Sequence, residues 1–99
     1  MQLSQIGRIR ESMNRENIGA ILLTNMDSIA WATGFTGSSA QVILSQSEGI
    51  FITDSRYTIQ AHEQVEELTI VTQTPGSAQA DFLAEQIQRL GISKLAFEA

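Results

Sequence analysis

A chain of 99 residues has room for one domain, with a core just large enough to fold unaided. Hydrophobic residues make up 42% and charged ones 17%, with one proline and no cysteine. That excludes a disordered tail, a disulfide framework and a thiolate metal site. Eleven acidic against six basic residues give a formal charge of −5, a field that repels phosphate and argues against nucleic acid as a partner.

The N-terminal stretch, MQLSQIGRIRESMN, is interrupted by polar residues throughout and has no h-region, so it does not read as a signal peptide. No unbroken apolar run is longer than that from Ala20 to Leu23, far short of a bilayer span. A cytoplasmic protein with no membrane partner is expected. Leu3, Ile6, Ile9 and Met13 recur at helical spacing and predict a first helix, ended by the polar stretch Asn14 to Asn17. Ile18 to Thr24 reads as a strand apolar on both faces, as in a sheet covered by helices. Asp27 or Ser28 is expected to cap a short helix over Ile29 to Thr33, with Gly34 in a left-handed C-terminal cap.

Gln41 to Leu44 and Ile50 to Thr53 are β-rich runs joined by Ser45-Gln46-Ser47-Glu48-Gly49, which predicts an antiparallel hairpin. Asp54 or Ser55 then caps a helix expected from Arg56 to about Glu67. Leu68 to Thr72 is a further strand, and Thr74-Pro75-Gly76 a turn. Ser77 is expected to cap a last helix with Ala80, Leu83, Ile87 and Leu90 on one face and Gly91 as its stop. Lys94 to Phe97 begins a final strand. The fold class is therefore α/β: a mixed sheet of about five strands with helices packed on it. With no capping element after that strand, the chain reads as cut from a longer protein just after Ala99.

Few residues are placed for chemistry. The stretch Gly34-Phe35-Thr36-Gly37-Ser38-Ser39 lacks the spacings of a phosphate loop and precedes a strand instead of opening a helix. Ser38 and Ser39 have no nucleophile elbow around them. His62, the single histidine, falls within a predicted helix, and Glu63, Glu66 and Glu67 read as a solvated face, so neither a catalytic set nor a metal set is expected. Asp54-Ser55-Arg56-Tyr57 is the more informative stretch, because it stands where a strand hands over to a helix. Two readings stay open. Asp54 caps the helix while Arg56 pairs locally and Tyr57 packs, or the cation of Arg56, unfavourable in a first turn, answers a carboxylate on a partner or a substrate. Trp31 and Phe35, flanking Gly34 at the end of the short helix, are core or interface residues.

Two segments carry a resemblance. Asn25-Met26-Asp27-Ser28-Ile29-Ala30-Trp31-Ala32-Thr33-Gly34-Phe35-Thr36-Gly37-Ser38 is similar to the "DxxNIxYLTGFxGS" segment of the creatinase N-terminal domain. Phe51-Ile52-Thr53-Asp54-Ser55-Arg56-Tyr57-Thr58-Ile59-Gln60-Ala61 resembles that family's "LFTDxRYxxQA" segment, and Lys94 to Ala99 its "xxGxE" strand. Trp31-Ala32 replaces the usual Tyr-Leu, and Ala96 a common Gly, which leaves dipeptidase, aminopeptidase and creatinase-like subfamilies open.

The resemblance implies a ribonuclease H-like, non-catalytic N-terminal domain over residues 1–99 of a proline-specific (Xaa-Pro) metallopeptidase of the creatinase, prolidase and aminopeptidase P type. It implies no catalytic or metal residues here. A missing "pita-bread" catalytic domain would hold two divalent ions such as Mn or Co. The implied partners are that domain and a second subunit in a homodimer, and the implied role is to wall the substrate entrance, for which Arg56, Tyr57, Trp31 and Phe35 are the candidates. The alternative is a stand-alone α/β module binding a small ligand at its strand ends.

Overall fold

The structure, a computed structural model, describes residues 4–73, 79–92 and 94–97. Helix α1 (Gln5–Arg15) starts where the Ser4 hydroxyl accepts a hydrogen bond from the Gly7 N–H at 3.0 Å. It buries Ile6 and Met13 with Ile9 beside them, as its spacing predicts, while Leu3 lies outside the described residues. Strand β1 (Ala20–Leu23) follows, shorter than the apolar run that announces it. Helix α2 (Met26–Thr33) begins earlier than expected. Its cap is Asn25 and not Asp27 or Ser28: the extended Asn25 backbone lets its side-chain oxygen accept from the Asp27 and Ser28 N–H groups at 2.8 and 3.2 Å. Gly34 closes the helix at φ +80°, with its N–H on the Ala30 carbonyl, as the sequence implies.

Strands β2 (Gln41–Ser45) and β3 (Gly49–Thr53) form the antiparallel hairpin. The Arg10 side chain of α1 locks its turn, donating to the Ser45 and Glu48 carbonyls at 2.9 Å each. The single helix expected from Arg56 to Glu67 is instead a 3-10 turn (Ser55–Tyr57) and a short α3 (Thr58–Gln64). Helix propensity loses at Val65, which takes an extended backbone and buries its side chain, and Glu67 then turns at φ +68°.

Strand β4 (Thr69–Thr72), α4 (Gln79–Arg89) and β5 (Ala96–Phe97) complete the order. The expected turn at Thr74-Pro75-Gly76 and the Ser77 cap lie outside the described residues. On α4 the buried positions are Phe82 and Gln86, with Leu83, Ile87 and Leu90 packed around the same core. The Ala80 side chain is outside the described set. Gly91 ends the helix at φ +68°, as expected.

The sheet order is β4-β3-β2-β1-β5, with the β1–β2 and β2–β3 pairs antiparallel and the β3–β4 and β1–β5 pairs parallel. The parallel crossovers run in opposite lateral directions: α3 carries the chain outward from β3 to β4, and α4 carries it back across to β5. A common right hand then demands opposite faces for α3 and α4. The cores agree with that demand. Val42, Leu44 and Phe51 face α1, α2 and α3, whereas Leu22, Ile43, Ile50 and Ile52 face α4. The strand residues divide by strict alternation, which is why their runs read as apolar on both sides. No helix of the described residues is long and apolar enough to cross a membrane.

Candidate functional site

An antiparallel hairpin brings the residues before its first strand beside those after its second. Ser38 and Ser39 precede β2 and Asp54 follows β3, so the two signature segments meet at the open end of the hairpin. Thr53, buried at the end of β3, donates its hydroxyl to the Ser39 carbonyl at 2.8 Å. The Ser38 and Tyr57 hydroxyls share a hydrogen bond of 2.7 Å. On the other side of the loop Gln64 accepts from the Thr36 N–H at 3.0 Å, while the Gln60 side-chain amide donates to the Thr36 hydroxyl at 2.9 Å. The loop from Gly34 to Ser39 is thereby tied to the 3-10 turn and to α3.

The aromatic residues set its height. Phe35 is completely buried and meets Phe51 edge-on at 4.9 Å and Tyr57 edge-on at 5.7 Å between ring centroids. Gly37 crosses this ring so closely that a Cβ there would stand 2.3 Å from Phe35 Cζ and 3.0 Å from Tyr57 Cδ1. Only glycine lets the backbone pass.

Asp54 accepts from the Arg56 backbone N–H at 2.9 Å and so caps the turn. The same carboxylate takes the Arg56 fork, with Nε on Oδ1 at 3.1 Å and Nη2 on Oδ2 at 2.8 Å. The guanidinium carbon lies 5.2 Å from the centre of the Tyr57 ring. Arg56 is mostly exposed, 70% by side chain, against 32% for Asp54. The Arg56 side-chain hydrogen bonds hold the Asp54 carboxyl below its ordinary value, helped by the Arg56 N–H and charge and by the Ser39 hydroxyl, against a smaller push from burial. The pairing with Asp54 in turn raises the arginine. Arg56 therefore has the local partner of the first reading, and its Nη1 has no partner among the described residues.

The four candidate residues do not form one surface. Arg56 and Tyr57 stand together. Phe35, weighed as an interface residue, belongs to the core and supports Tyr57 from beneath. Trp31, half exposed, lies elsewhere, lining a groove between α1 and α2. Thr36, Gln60 and Gln64 were missing from the sequence reading as site residues. Their signal was the hairpin itself, which brings Thr36 back to the helix after β3. His62, Glu63 and Glu66 are exposed, and no three His, Asp or Glu residues converge among the described residues. The arrangement offers a hydrogen-bonded face with an oriented cation, and no nucleophile is paired with a base among the described residues.

The family model of the creatinase/prolidase N-terminal domain matches residues 5–99. The chain belongs to that family. It is 32% identical over 94 residues to a Bacillus subtilis protein described as "uncharacterized peptidase YqhT", a match that covers 95% of this chain and 26% of the relative. Among solved structures, an Xaa-Pro dipeptidase from Bacillus anthracis superposes with a TM-score of 0.86 at 38% identity, over 95% of this chain and 26% of that one. An X-Pro aminopeptidase from Thermotoga maritima follows with a TM-score of 0.82 at 28% identity, over 97% and 27%. The chain thus spans about a quarter of the length of these relatives. The creatinase N-terminal fold expected from the two signature segments is the fold observed, and hydrogen bonds tie those segments to each other.

Proposed function

We propose that this chain is the non-catalytic N-terminal domain of a cytoplasmic Xaa-Pro dipeptidase or aminopeptidase, and that the Asp54–Tyr57 turn forms part of the wall of the substrate entrance. The observation that carries the reading is the convergence of the loop before β2 with the turn after β3. It fixes an exposed guanidinium against a tyrosine at one end of the sheet. Peptidase chemistry, two divalent ions such as Mn or Co, and assembly into a homodimer belong in this reading to a following catalytic domain and to the parent protein. The described residues of this chain do not fit such an ion pair, since no carboxylate and histidine set converges. The domain's own contribution is steric and orienting. An arginine fork held on Asp54 through Nε and Nη2 leaves Nη1 of this exposed side chain to donate to a carboxylate or carbonyl of a bound peptide or of a neighbouring subunit.

Two measurements test this. Reading the coding region past codon 99 should reveal metal-ligand motifs over a stretch in proportion to the unmatched three quarters of the Bacillus relative; an immediate stop codon overturns the reading. In the parent protein Arg56→Ala should raise KM for Xaa-Pro substrates or weaken dimerisation, while the 99-residue chain stays folded and its unfolding midpoint falls only slightly, by the small share of the exposed Asp54–Arg56 pair. Unchanged kinetics and assembly together with an unfolded domain make Arg56 a structural residue.

A further inference from the structure

The helices on the α1–α2–α3 face do not cover the sheet evenly. Val42, Leu44 and Phe51 of β2 and β3 are completely buried beneath them, whereas Ile21 of β1 and its in-register neighbour Ala96 of β5 are only half buried. Over β1 the helical layer is open. The gap is a groove of about 480 Å³ between α1 and α2. Ile18, Ile21 and Leu23 line it from the β1 segment, Ile9 and Met13 from α1, and the half-exposed Trp31 from α2. An exposed tryptophan beside a continuous apolar floor is the composition of an interface core.

The rim indicates what fits. Its polar lining is Ser12 on α1, Glu16 at the C-cap of α1, and Asp27 and Ser28 on α2, with no lysine or arginine lining the groove among the described residues. Glu16 also stands at the C-terminal end of α1, where the helix dipole adds negative potential. A second copy of this chain using the same face would set acid against acid, and an anionic lipid surface meets the same repulsion. We propose that the groove is a docking site for a basic amphipathic helix of a partner polypeptide, with leucine- or methionine-sized side chains on the floor and lysine or arginine on the Glu16 and Asp27 rim. This goes beyond the role proposed for the Asp54–Tyr57 turn and uses none of its residues.

Trp31 is the single tryptophan of the chain and reports occupancy directly. The intact chain is titrated with a short helical peptide of leucine and lysine and with its leucine–glutamate counterpart, reading Trp31 emission. The lysine peptide should shift the emission saturably to shorter wavelength, and the glutamate peptide should not. Glu16→Gln with Asp27→Asn should weaken binding at least about tenfold, the scale of two lost rim charges. Asp81→Asn with Glu85→Gln, which changes net charge equally on exposed positions of α4 across the sheet, should leave it unchanged. Equal binding of both peptides, equal loss in the two double variants, or no emission change overturns the proposal. So does an emission change that follows protein concentration alone, which would mark a self-associating surface. Circular dichroism of each variant separates lost binding from lost folding.

Discussion

Gly37→Ala tests how the signature loop is held. The new Cβ would stand 2.3 Å from Phe35 Cζ, 2.6 Å from Phe35 Cε2 and 3.0 Å from Tyr57 Cδ1. A contact with the end of a flexible side chain would be relieved cheaply. Phe35 has no such freedom, since it is fully buried and packed edge-on against both Phe51 and Tyr57. Either the ring moves within a close-packed core or the loop lifts and loses the Ser38–Tyr57 and Thr36–Gln64 hydrogen bonds. Overpacking of this kind costs about 1–3 kcal/mol. The reduced backbone freedom of alanine in the unfolded chain returns about 0.4–1 kcal/mol. A net loss of about 1–2 kcal/mol corresponds to roughly 4–16 °C in a domain of this size. Gly19→Ala is the control, because nothing lies within 4 Å of its added Cβ and its φ is not positive. Thermal and urea unfolding followed by circular dichroism compare the two. Phe35→Leu in the Gly37→Ala background should cost less than in the parent chain, since it relieves the contact. If Gly37→Ala costs no more than Gly19→Ala, or if the two changes at 35 and 37 are simply additive, the close passage does not require glycine.

Two further outcomes follow from the caps. Asn25→Ala leaves the first N–H groups of α2 without their side-chain acceptor and should cost about 1 kcal/mol by urea unfolding, whereas Asn25→Asp should cost much less. Asp54 has a folded-state pKa below its ordinary 3.8, so its stabilisation is present above that value and fades as pH falls through the lowered one. Asp54→Asn keeps a capping oxygen but cannot titrate, and should flatten the acid limb of stability in that window, least at high salt; an identical acid limb in both proteins would mean that the pair contributes nothing to folding.

The fold was legible where one signal dominated. Two apolar runs around Ser45 to Gly49 announced the hairpin, and Gly34 and Gly91 marked helix ends because their positive φ suits glycine. Legibility failed where local propensity opposed packing. The stretch from Glu63 to Glu67 has helical composition, yet the core claims Val65 and breaks the helix. On α4 the spacing of Leu83, Ile87 and Leu90 drew attention from Phe82 and Gln86, and a buried glutamine is not visible in a hydropathy pattern. Its side-chain oxygen accepts from Arg89 at 3.2 Å, a contact that exists only after folding. The candidate site was half legible. Asp54, Arg56 and Tyr57 could be named from their position after a strand, but the loop that completes the surface joins them only through the register of β2 with β3.

That register also bears on the two readings of Arg56. An arginine in a first turn is unfavourable against the helix dipole, and the sequence alone invited an outside carboxylate as its reason. The local carboxylate supplied by Asp54 removes this electrostatic need, because the pair is neutral at any pH where both groups are charged. What remains is geometry. The fork fixes the guanidinium beside the Tyr57 ring, and the ring is fixed by Ser38 above and Phe35 below. A free surface arginine would lose rotamer freedom on meeting a partner, whereas here folding has already ordered the side chain. The Nη1 edge is thus presented at low entropic cost and with little net charge, conditions that favour a directed hydrogen bond over long-range attraction. Contacts made through this turn should accordingly depend weakly on salt and strongly on the Asp54 fork.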